Sequence, residues 1–346
     1  MNIDSFAEVI SACRFCFMCR HLSAVGQAGC READTPRGRA LIADTVRMHP
    51  EKISDADFVD AVYRSDLSGA NRFHCDGCHD GKGYDEIGLQ LALRRDIVEA
   101  GTEPERVKKL ADELEATAEW KTEGSGDVLY FVDRYTKEIP AVAQSFAKLA
   151  ARGRIAYRTV TGGCIGKALG VLGYAARSKA VAEKFAAFVN GLGAKALVVS
   201  NPAAYDALVN DYGKYGIDLK VKVMHSSEFI AGLKLDFRQC GEAVCCLESD
   251  YLKNYVKNYP YPAELLKQLG VVCKPFGTND EESYTAGEGA VVLPLLNPQL
   301  AKLLAGQVAA RAGEELSVTA SPYTRRVLAG AGLNVLTLEE LAAKSL

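Results

Sequence analysis

The sequence predicts an α/β protein: a helical, cysteine-rich head followed by a duplicated domain with largely parallel sheets. Three observations support this prediction. Six of the 11 cysteines lie at or before position 78. Residues 127–346 alternate short apolar runs with amphipathic helical segments, as strand–helix units do. One strand–turn–helix pattern also occurs twice in this second part.

The head, residues 1–120, is expected to be mostly helical. Thr35 is suited to be an N-cap and Pro36 the first residue of a helix, and Ser54 is expected to cap the next helix. Helices are predicted over residues 36–48, 55–66, 84–100 and 104–120. The segment 121–127 contains Gly and Ser and is predicted to link the two domains.

The second domain, residues 127–346, is predicted to contain two similar halves. Strands are expected at residues 128–132, 155–160, 196–200 and 221–224, with helices over 140–151, 178–190 and 202–212. Residues 196–208 and 316–328 share a strand, a turn marked by proline and a helix start. Each is followed by a strand and a helix with an acidic start, which indicates a duplication.

Net charge, targeting signals and cysteine content exclude some classes of function and favour others. The chain has 346 residues and a net charge of −3, so it offers neither a broad basic surface for nucleic acid nor a polybasic membrane patch. No signal peptide and no transmembrane segment are recognisable, so we expect a cytoplasmic protein. Cysteines there stay reduced, and a disulfide framework is not expected. Their spacing must therefore indicate metal binding or redox chemistry.

The first cysteine group has the spacing of iron–sulfur ligands. Cys13, Cys16 and Cys19 form C-x2-C-x2-C, which can place three thiolates around one cubane. The next position of a ferredoxin run holds Ser23, and we expect Cys30 to fold back in its place. Three cysteines this close are unusual in structural zinc sites, so iron–sulfur is favoured here.

The second group leaves two interpretations open. Cys75 and Cys78, flanked by His74 and His79, suit zinc and iron nearly equally. Six thiolates can complete one four-cysteine [4Fe–4S] cluster and leave two over. A second cluster would therefore need non-cysteine ligands, for which histidine has precedent. The predicted cofactor and metal ligands are Cys13, Cys16, Cys19, Cys30, Cys75 and Cys78.

The order of these motifs resembles a known family. The first cysteine group, then Thr35-Pro36-Arg37-Gly38-Arg39, then a further C-x2-C resembles the iron–sulfur subunits of glycolate oxidase and anaerobic glycerol-3-phosphate dehydrogenase, and the lactate-utilisation iron–sulfur protein. The resemblance implies a ferredoxin-like iron–sulfur head followed by a duplicated cysteine-rich (CCG) domain of the kind shared with heterodisulfide reductases.

The second domain keeps the spacing of this family while lacking its cysteines. The resemblance puts Asp250 at the first cysteine position, and 284–287 and 321–324 at the second and third elements. In the first half, Cys164 and the segment 201–204 fit the same frame. Hydroxyl groups remain protonated at ordinary pH and do not replace thiolates on iron. We therefore expect that this domain has lost the family's cluster.

The resulting expectation is an iron–sulfur electron-transfer subunit of a multi-subunit, flavin-linked oxidoreductase. Its partner would be a flavoprotein dehydrogenase subunit or an electron-transferring flavoprotein, and this chain would not itself be catalytic. One alternative is a zinc-stabilised scaffold or assembly protein without redox activity. Another is a reductase that uses Cys164, Cys245 and Cys246, although the cysteines from 240 onwards are expected to be buried apolar groups.

Two further motifs have modest interpretations. The segment 162–167 follows a strand and could bind phosphate through backbone amides, but a tight turn is the stronger interpretation because the P-loop spacing is absent. His225 is expected to have a structural role at a strand end.

Overall fold

The computed structural model describes residues 1–73, 75, 84–241, 243–257, 259–274 and 284–346. Its helices are α1 Ala7–Ala12, α2 Ala24–Gly29, α3 Pro36–Met48, α4 Ala56–Tyr63, α5 Glu86–Glu99, α6 Glu105–Ala116, α7 Arg134–Glu138, α8 Pro140–Arg152, α9 Lys167–Leu172, α10 Ala175–Gly191, α11 Pro202–Asp206, α12 Tyr212–Lys214, α13 Ser226–Gly232, α14 Tyr261–Gln268, α15 Leu293–Leu296, α16 Pro298–Ala312, α17 Pro322–Gly330 and α18 Leu338–Lys344.

The part of the chain that follows the head, which we call the tail, contains two sheets. The first contains β1 Trp120–Gly124, β2 Val128–Val132, β3 Tyr157–Gly162, β4 Ala196–Val199 and β5 Lys222–His225, in the order β1-β3-β2-β4-β5. The second contains β6 Ala243–Leu247, β7 Val272–Lys274, β8 Ser317–Thr319 and β9 Val335–Thr337, in the order β7-β6-β8-β9. All pairs are parallel except the antiparallel edge pair β1–β3. The α/β prediction is confirmed.

The two sheets have the same strand order. Leaving out β1, the first strand of each half is flanked by the second on one side, and by the third and then the fourth on the other. The third strand of each half leads through an Asn or Ser cap and a proline into a helix, at Asn201-Pro202 and at Ser321-Pro322. This identity of order is what duplication of one unit produces.

The predicted linker is largely a strand, so that prediction was wrong. Residues 120–124 form the edge strand β1, and helix α6 ends at Ala116 instead of continuing to 120. The strand pairs with β3 from Trp120 opposite Gly162 to Gly124 opposite Arg158. The indole of Trp120 packs on Phe185, 5.0 Å between ring centres. Pairing with β3 and packing on Phe185 determine the conformation of residues 120–124, and the local composition of this segment does not reveal either interaction.

The helix predictions in the head were close to the structure. Helix α3 has the predicted bounds, with Thr35 accepting a bond from the Gly38 amide at 3.1 Å. The next helix begins one residue later than predicted, because its N-cap is Asp55 and not Ser54. Ser54 instead ends a 3₁₀ turn that precedes the cap. Within the tail, the helix predicted over 202–212 contains a π-helical turn at Ala207–Asp211.

The head packs tightly on the tail. The Arg72 guanidinium donates to the carbonyls of Asn254 and Lys253 at 2.7 and 2.8 Å, and the Asn254 amide donates to the Ser68 carbonyl at 2.6 Å. One apolar core runs through both sheets, and another joins the head to α9 and to Tyr251. Among the described residues, no helix is long and apolar enough to span a membrane.

Candidate functional site

The head cysteines lie on irregular backbone beside helix α3. Cys13 directly follows α1, and Cys19 lies in a 3₁₀ turn, Met18–Arg20, with 6% of its surface exposed. Cys16, between them, is exposed. Cys75 follows the turn Ala70–Phe73 and donates its amide to the Asn71 carbonyl at 2.8 Å. We call residues 13–19 the cysteine loop.

Cys13 and Cys75 lie close enough to Cys19 for their charge to raise the pKa of its thiol. Burial raises the pKa of Cys19 to about 11, a backbone hydrogen bond from Arg37 opposes the rise, and negative charge on Cys75 or Cys13 adds to it. Burial also raises the pKa of Tyr84, and charge on Cys13 and Cys75 adds to that shift. Cys13 and Cys75 pack against the same apolar core. The structure therefore brings Cys75 to the cysteine loop across more than fifty residues of sequence.

The start of helix α3 fixes the cysteine loop. The Arg37 amide, in the first turn of the helix, donates to the Cys19 thiol, and its guanidinium donates to the Phe15 carbonyl at 3.3 Å. Amides at a helix N-terminus favour a thiolate. A Cβ at Gly38 would lie 2.0 Å from the Glu32 carbonyl oxygen, so only glycine allows this close approach. The Thr-Pro-Arg-Gly-Arg motif thus positions the cysteines.

Arg39, the last residue of that motif, is buried inside the head. Its guanidinium pairs with buried Glu86 and donates to the Asp34 carbonyl at 2.6 Å. Asp34 in turn pairs with Arg64 at 2.8 Å. These buried pairs join α3 to α5 and to the end of α4, and removal of one partner would leave an unpaired buried charge.

The remaining predicted ligands are Cys30, whose thiol bonds to its own helix, and Cys78, which lies outside the described residues. Cys30 ends helix α2 in a left-handed conformation with φ 51°, is exposed, and donates its thiol to the Gln27 carbonyl at 3.6 Å. Cys78, His74 and His79 lie outside the described residues.

The thiols around Cys19 are donors of the kind that zinc and iron–sulfur clusters both bind. In the part of the chain that the structure describes, no three His, Cys, Asp or Glu side chains are grouped as ligands of one metal ion. In a [4Fe–4S] cluster each thiolate binds a different iron, so the ligands surround a volume and do not converge on a point. Cys13, Cys16, Cys19 and Cys75 provide four sulfur donors, with a backbone N–H directed at one of them.

The segments of the second half that contain Asp250 and Thr285 also lie in contact. The Asp250 carboxylate accepts bonds from the Thr285 hydroxyl and from the Gly289 amide, the latter at 3.0 Å. The Glu288 carboxylate accepts from the Ser249 hydroxyl at 2.7 Å and from the Asp250 amide at 2.8 Å. We call Asp250 and Glu288 the carboxylate pair.

Burial disfavours the charged form of both carboxyl groups. Burial raises the pKa of Asp250 well above its usual value, and charge on Glu288 adds to the rise. Burial raises the pKa of Glu288, while the hydroxyls of Ser321 and Ser249 oppose it. The three segments that the resemblance placed at cysteine positions therefore meet through hydrogen bonds. Glu288 was not recognised from the sequence, although it directly follows the segment 284–287.

The first half has an open crevice at the corresponding position. A cavity of 570 Å³ lies at the carboxyl ends of β2, β3 and β4, with Asp133, Cys164 and Asn201 among its lining residues. Asn201 donates to Asp133, and the Cys164 thiol accepts from the Gly166 amide at 3.3 Å. Burial raises the pKa of Cys164, so the thiol is held neutral.

The later cysteines do not form a common site. Cys246 and Cys273, on neighbouring strands β6 and β7, form a disulfide, which corrects the expectation of buried, reduced thiols at these two positions. The pairing of β6 with β7 brings the two residues together. Because they are 27 residues apart in the sequence, their proximity could not be predicted from local pattern. The Cys245 thiol donates to Glu315 at 3.3 Å. Cys164 lies in the other half, so these positions do not support the reductase hypothesis.

Two smaller predictions agree with the structure. The amide of Cys164 donates to the Thr117 hydroxyl at 3.1 Å, so protein acceptors already engage the glycine turn, as expected for a structural turn. His225 is fully buried at the end of β5, with Nε2 within 3.2 Å of the Ser200 and Ala320 carbonyls. Burial lowers its pKa to about 4, so the neutral ring links the two halves.

Comparisons with known proteins show only the fold. No family model matches the chain, and no curated protein matches it. Among solved structures, it is similar to a hypothetical protein from Helicobacter pylori, with a TM-score of 0.60 and 10% sequence identity. The match covers 90% of this chain and 67% of that one. At this identity the likeness supports the α/β architecture and says nothing about activity.

Proposed function

We propose that this chain is an iron–sulfur electron-transfer protein that serves a flavin-linked oxidoreductase complex. The observation that carries the proposal is the grouping of Cys75 with the cysteine loop beside the first turn of α3. Cys13, Cys16, Cys19 and Cys75 would hold one [4Fe–4S] cluster, and the cluster would supply one-electron transfer. We leave Cys30 out of this set because its thiol is directed at its own helix.

The protein's own groups have definite roles in this proposal. The Arg37 amide donates to the Cys19 sulfur, and donors to cluster sulfurs are among the groups that set a reduction potential. Cys19 lies on the buried side and Cys16 on the exposed side of the cysteine loop. Electrons would therefore enter or leave near Cys16. Catalysis on an organic substrate would belong to a flavoprotein partner.

The test is anaerobic purification with iron, sulfide and zinc counts. We expect about four irons and four sulfides per chain with absorbance near 400 nm, as for one cubane. Eight irons would indicate that Cys78 and nearby histidines complete a second cluster. A colourless chain with stoichiometric zinc would refute the proposal and support the zinc-stabilised scaffold.

A further inference from the structure

The cysteine loop exposes large apolar side chains. Phe15, Phe17 and Met18 are 52%, 70% and 41% exposed, and they flank exposed Cys16. Single exposed apolar residues are common, but a cluster of them indicates an interaction surface. Three of the ten large apolar side chains that the described residues expose thus lie within four consecutive positions.

The backbone holds the loop in this arrangement. Phe15 has φ 52°, in the left-handed region that a non-glycine residue adopts only when its surroundings impose it. The bond from the Arg37 guanidinium to the Phe15 carbonyl, at 3.3 Å, fixes the peptide in place. The structure therefore bears a local backbone cost while leaving the aromatic ring in solvent.

The same surface continues along helix α3. Leu41 and Met48 are 52% and 60% exposed. They are seven residues apart, about two helical turns, and therefore lie on one face. Arg37, one turn before Leu41, contacts the cysteine loop through Phe15. We call Phe15, Phe17, Met18, Leu41 and Met48 the front face.

The charges that flank the cysteine loop in the sequence are positive, and the nearby acids Glu32 and Asp44 form ion pairs with Arg37 and Arg47. Arg14 and Arg20 are exposed at the two ends of the apolar run. No acidic residue occurs between Glu8 and Glu32 in the sequence, although the whole chain has a net charge of −3. Local positive charge on an acidic protein favours a partner with an acidic docking surface, because complementary charge steers association.

We propose that the front face docks an acidic redox protein, with Cys16 at the centre of the contact. This inference rests on the proposed function, since it needs a cluster behind Cys16. The apolar side chains would supply the desolvated centre of a transient interface, and Arg14 and Arg20 its steering rim.

The test uses reduced flavodoxin, an acidic flavoprotein, as the probe in stopped-flow mixing with the iron-loaded chain. Its anionic flavin hydroquinone loses one electron to the cluster and becomes the neutral semiquinone, so no proton has to move. The variants are Phe17→Ser and the double change Arg14→Glu with Arg20→Glu. The matched controls are Leu303→Ser, an apolar residue 47% exposed on α16, and Arg152→Glu, exposed at the end of α8.

We expect the double charge reversal to slow reduction by flavodoxin about tenfold or more at low salt, with the difference shrinking as salt rises. Phe17→Ser should slow it several-fold at all salt concentrations. The controls should change neither rate. The extent of reduction by excess dithionite, which needs no docking, should be equal in all variants and shows that each variant is folded and loaded.

Ferricytochrome c, a basic acceptor, should react faster with the reduced double variant than with the unchanged chain. An iron-loaded protein whose rates are the same in all variants overturns the inference and leaves the proposed function standing. A chain without iron and sulfide overturns both. The iron and sulfide counts therefore distinguish the two failures.

Discussion

The head and the second half of the tail each bring separate segments to one place, with different atoms at the meeting point. In the head, the cysteine loop, the start of α3 and Cys75 bring thiols together. In the tail, the end of β6, the segment before α15 and the end of β8 bring together Asp250, Glu288 and Ser321. The first place contains thiols, whereas the second is a closed network of buried carboxyls and hydroxyls.

The difference shows that segments far apart in the chain can be held together either around thiols or by hydrogen bonds between buried carboxyls and hydroxyls. Asp250, Thr285 and Ser321 lie where the resemblance places cysteines, and they still meet. Buried polar groups must be hydrogen-bonded, so the segments remain together for stability. We therefore expect changes in the head to affect iron and changes in the tail to affect stability.

The largest effect should come from Cys19→Ser. Serine does not ligate iron as a thiolate does, and Cys19 is the buried member of the group. We expect iron to fall from about four per chain to near zero, with loss of absorbance near 400 nm.

The control is Cys245→Ser, which changes an equally buried thiol outside the site. It should keep its iron. Equal iron in the two variants would show that the cysteine loop is not the cluster site.

Next in size is Glu288→Ala in the carboxylate pair. The change leaves the Ser249 hydroxyl and the Asp250 amide without their acceptor in a buried position. We expect a loss of about 2–3 kcal/mol in the free energy of unfolding, measured with urea, and an unchanged iron content.

Glu113→Ala on the exposed face of α6 is the control, because the Glu113 carboxylate is 62% exposed and lies 4.0 Å from the Lys109 ammonium at the surface. It should cost less than about 0.5 kcal/mol. Loss of iron from the Glu288 variant would contradict the separation of the two regions.

The carboxylate pair should also make stability depend on pH. A carboxyl group with a raised folded pKa stabilises the fold fully below its unfolded pKa, about 4, and this contribution is lost as the pH rises through the folded value. Asn at position 250 can still accept from Thr285 and Gly289. Asp250→Asn should therefore match the unchanged chain near pH 4 and exceed its stability near pH 8.

Urea unfolding at several pH values measures this difference. Asp236→Asn, at an exposed aspartate, is the control and should show no such trend. A constant difference between the Asp250 variant and the unchanged chain at all pH values would show that the carboxyl ionises without penalty.

The smallest effect should come from Cys30→Ser. The residue is exposed, and its thiol donates to the Gln27 carbonyl of its own helix. We expect unchanged iron and a change in the free energy of unfolding within about 0.5 kcal/mol. Loss of half or more of the iron would place Cys30 among the ligands and would require the end of α2 to turn toward the cysteine loop.

Much of the fold could be predicted from local signals. The bounds of α3 follow from Thr35 and Pro36, and the apolar runs at β2 and β4 show buried strands. The strand β1 could not be predicted, because its polar residues form a strand only by pairing with β3. The cap at Asp55 shows the same limit on a smaller scale: two adjacent residues could serve, and the preceding turn selects one.

The candidate site likewise combines features that the sequence predicted with features that only the fold decided. By itself, the sequence determined where closely spaced thiols occur, since C-x2-C-x2-C is a local chemical pattern, and that Asp250, Thr285 and Ser321 lack thiols. Only the tertiary structure decided that Cys75 joins the cysteine loop, that Cys246 pairs with Cys273, and that Glu288 bonds to the Asp250 amide. Ligand chemistry belongs to single residues, whereas proximity depends on the packing of segments far apart in the chain.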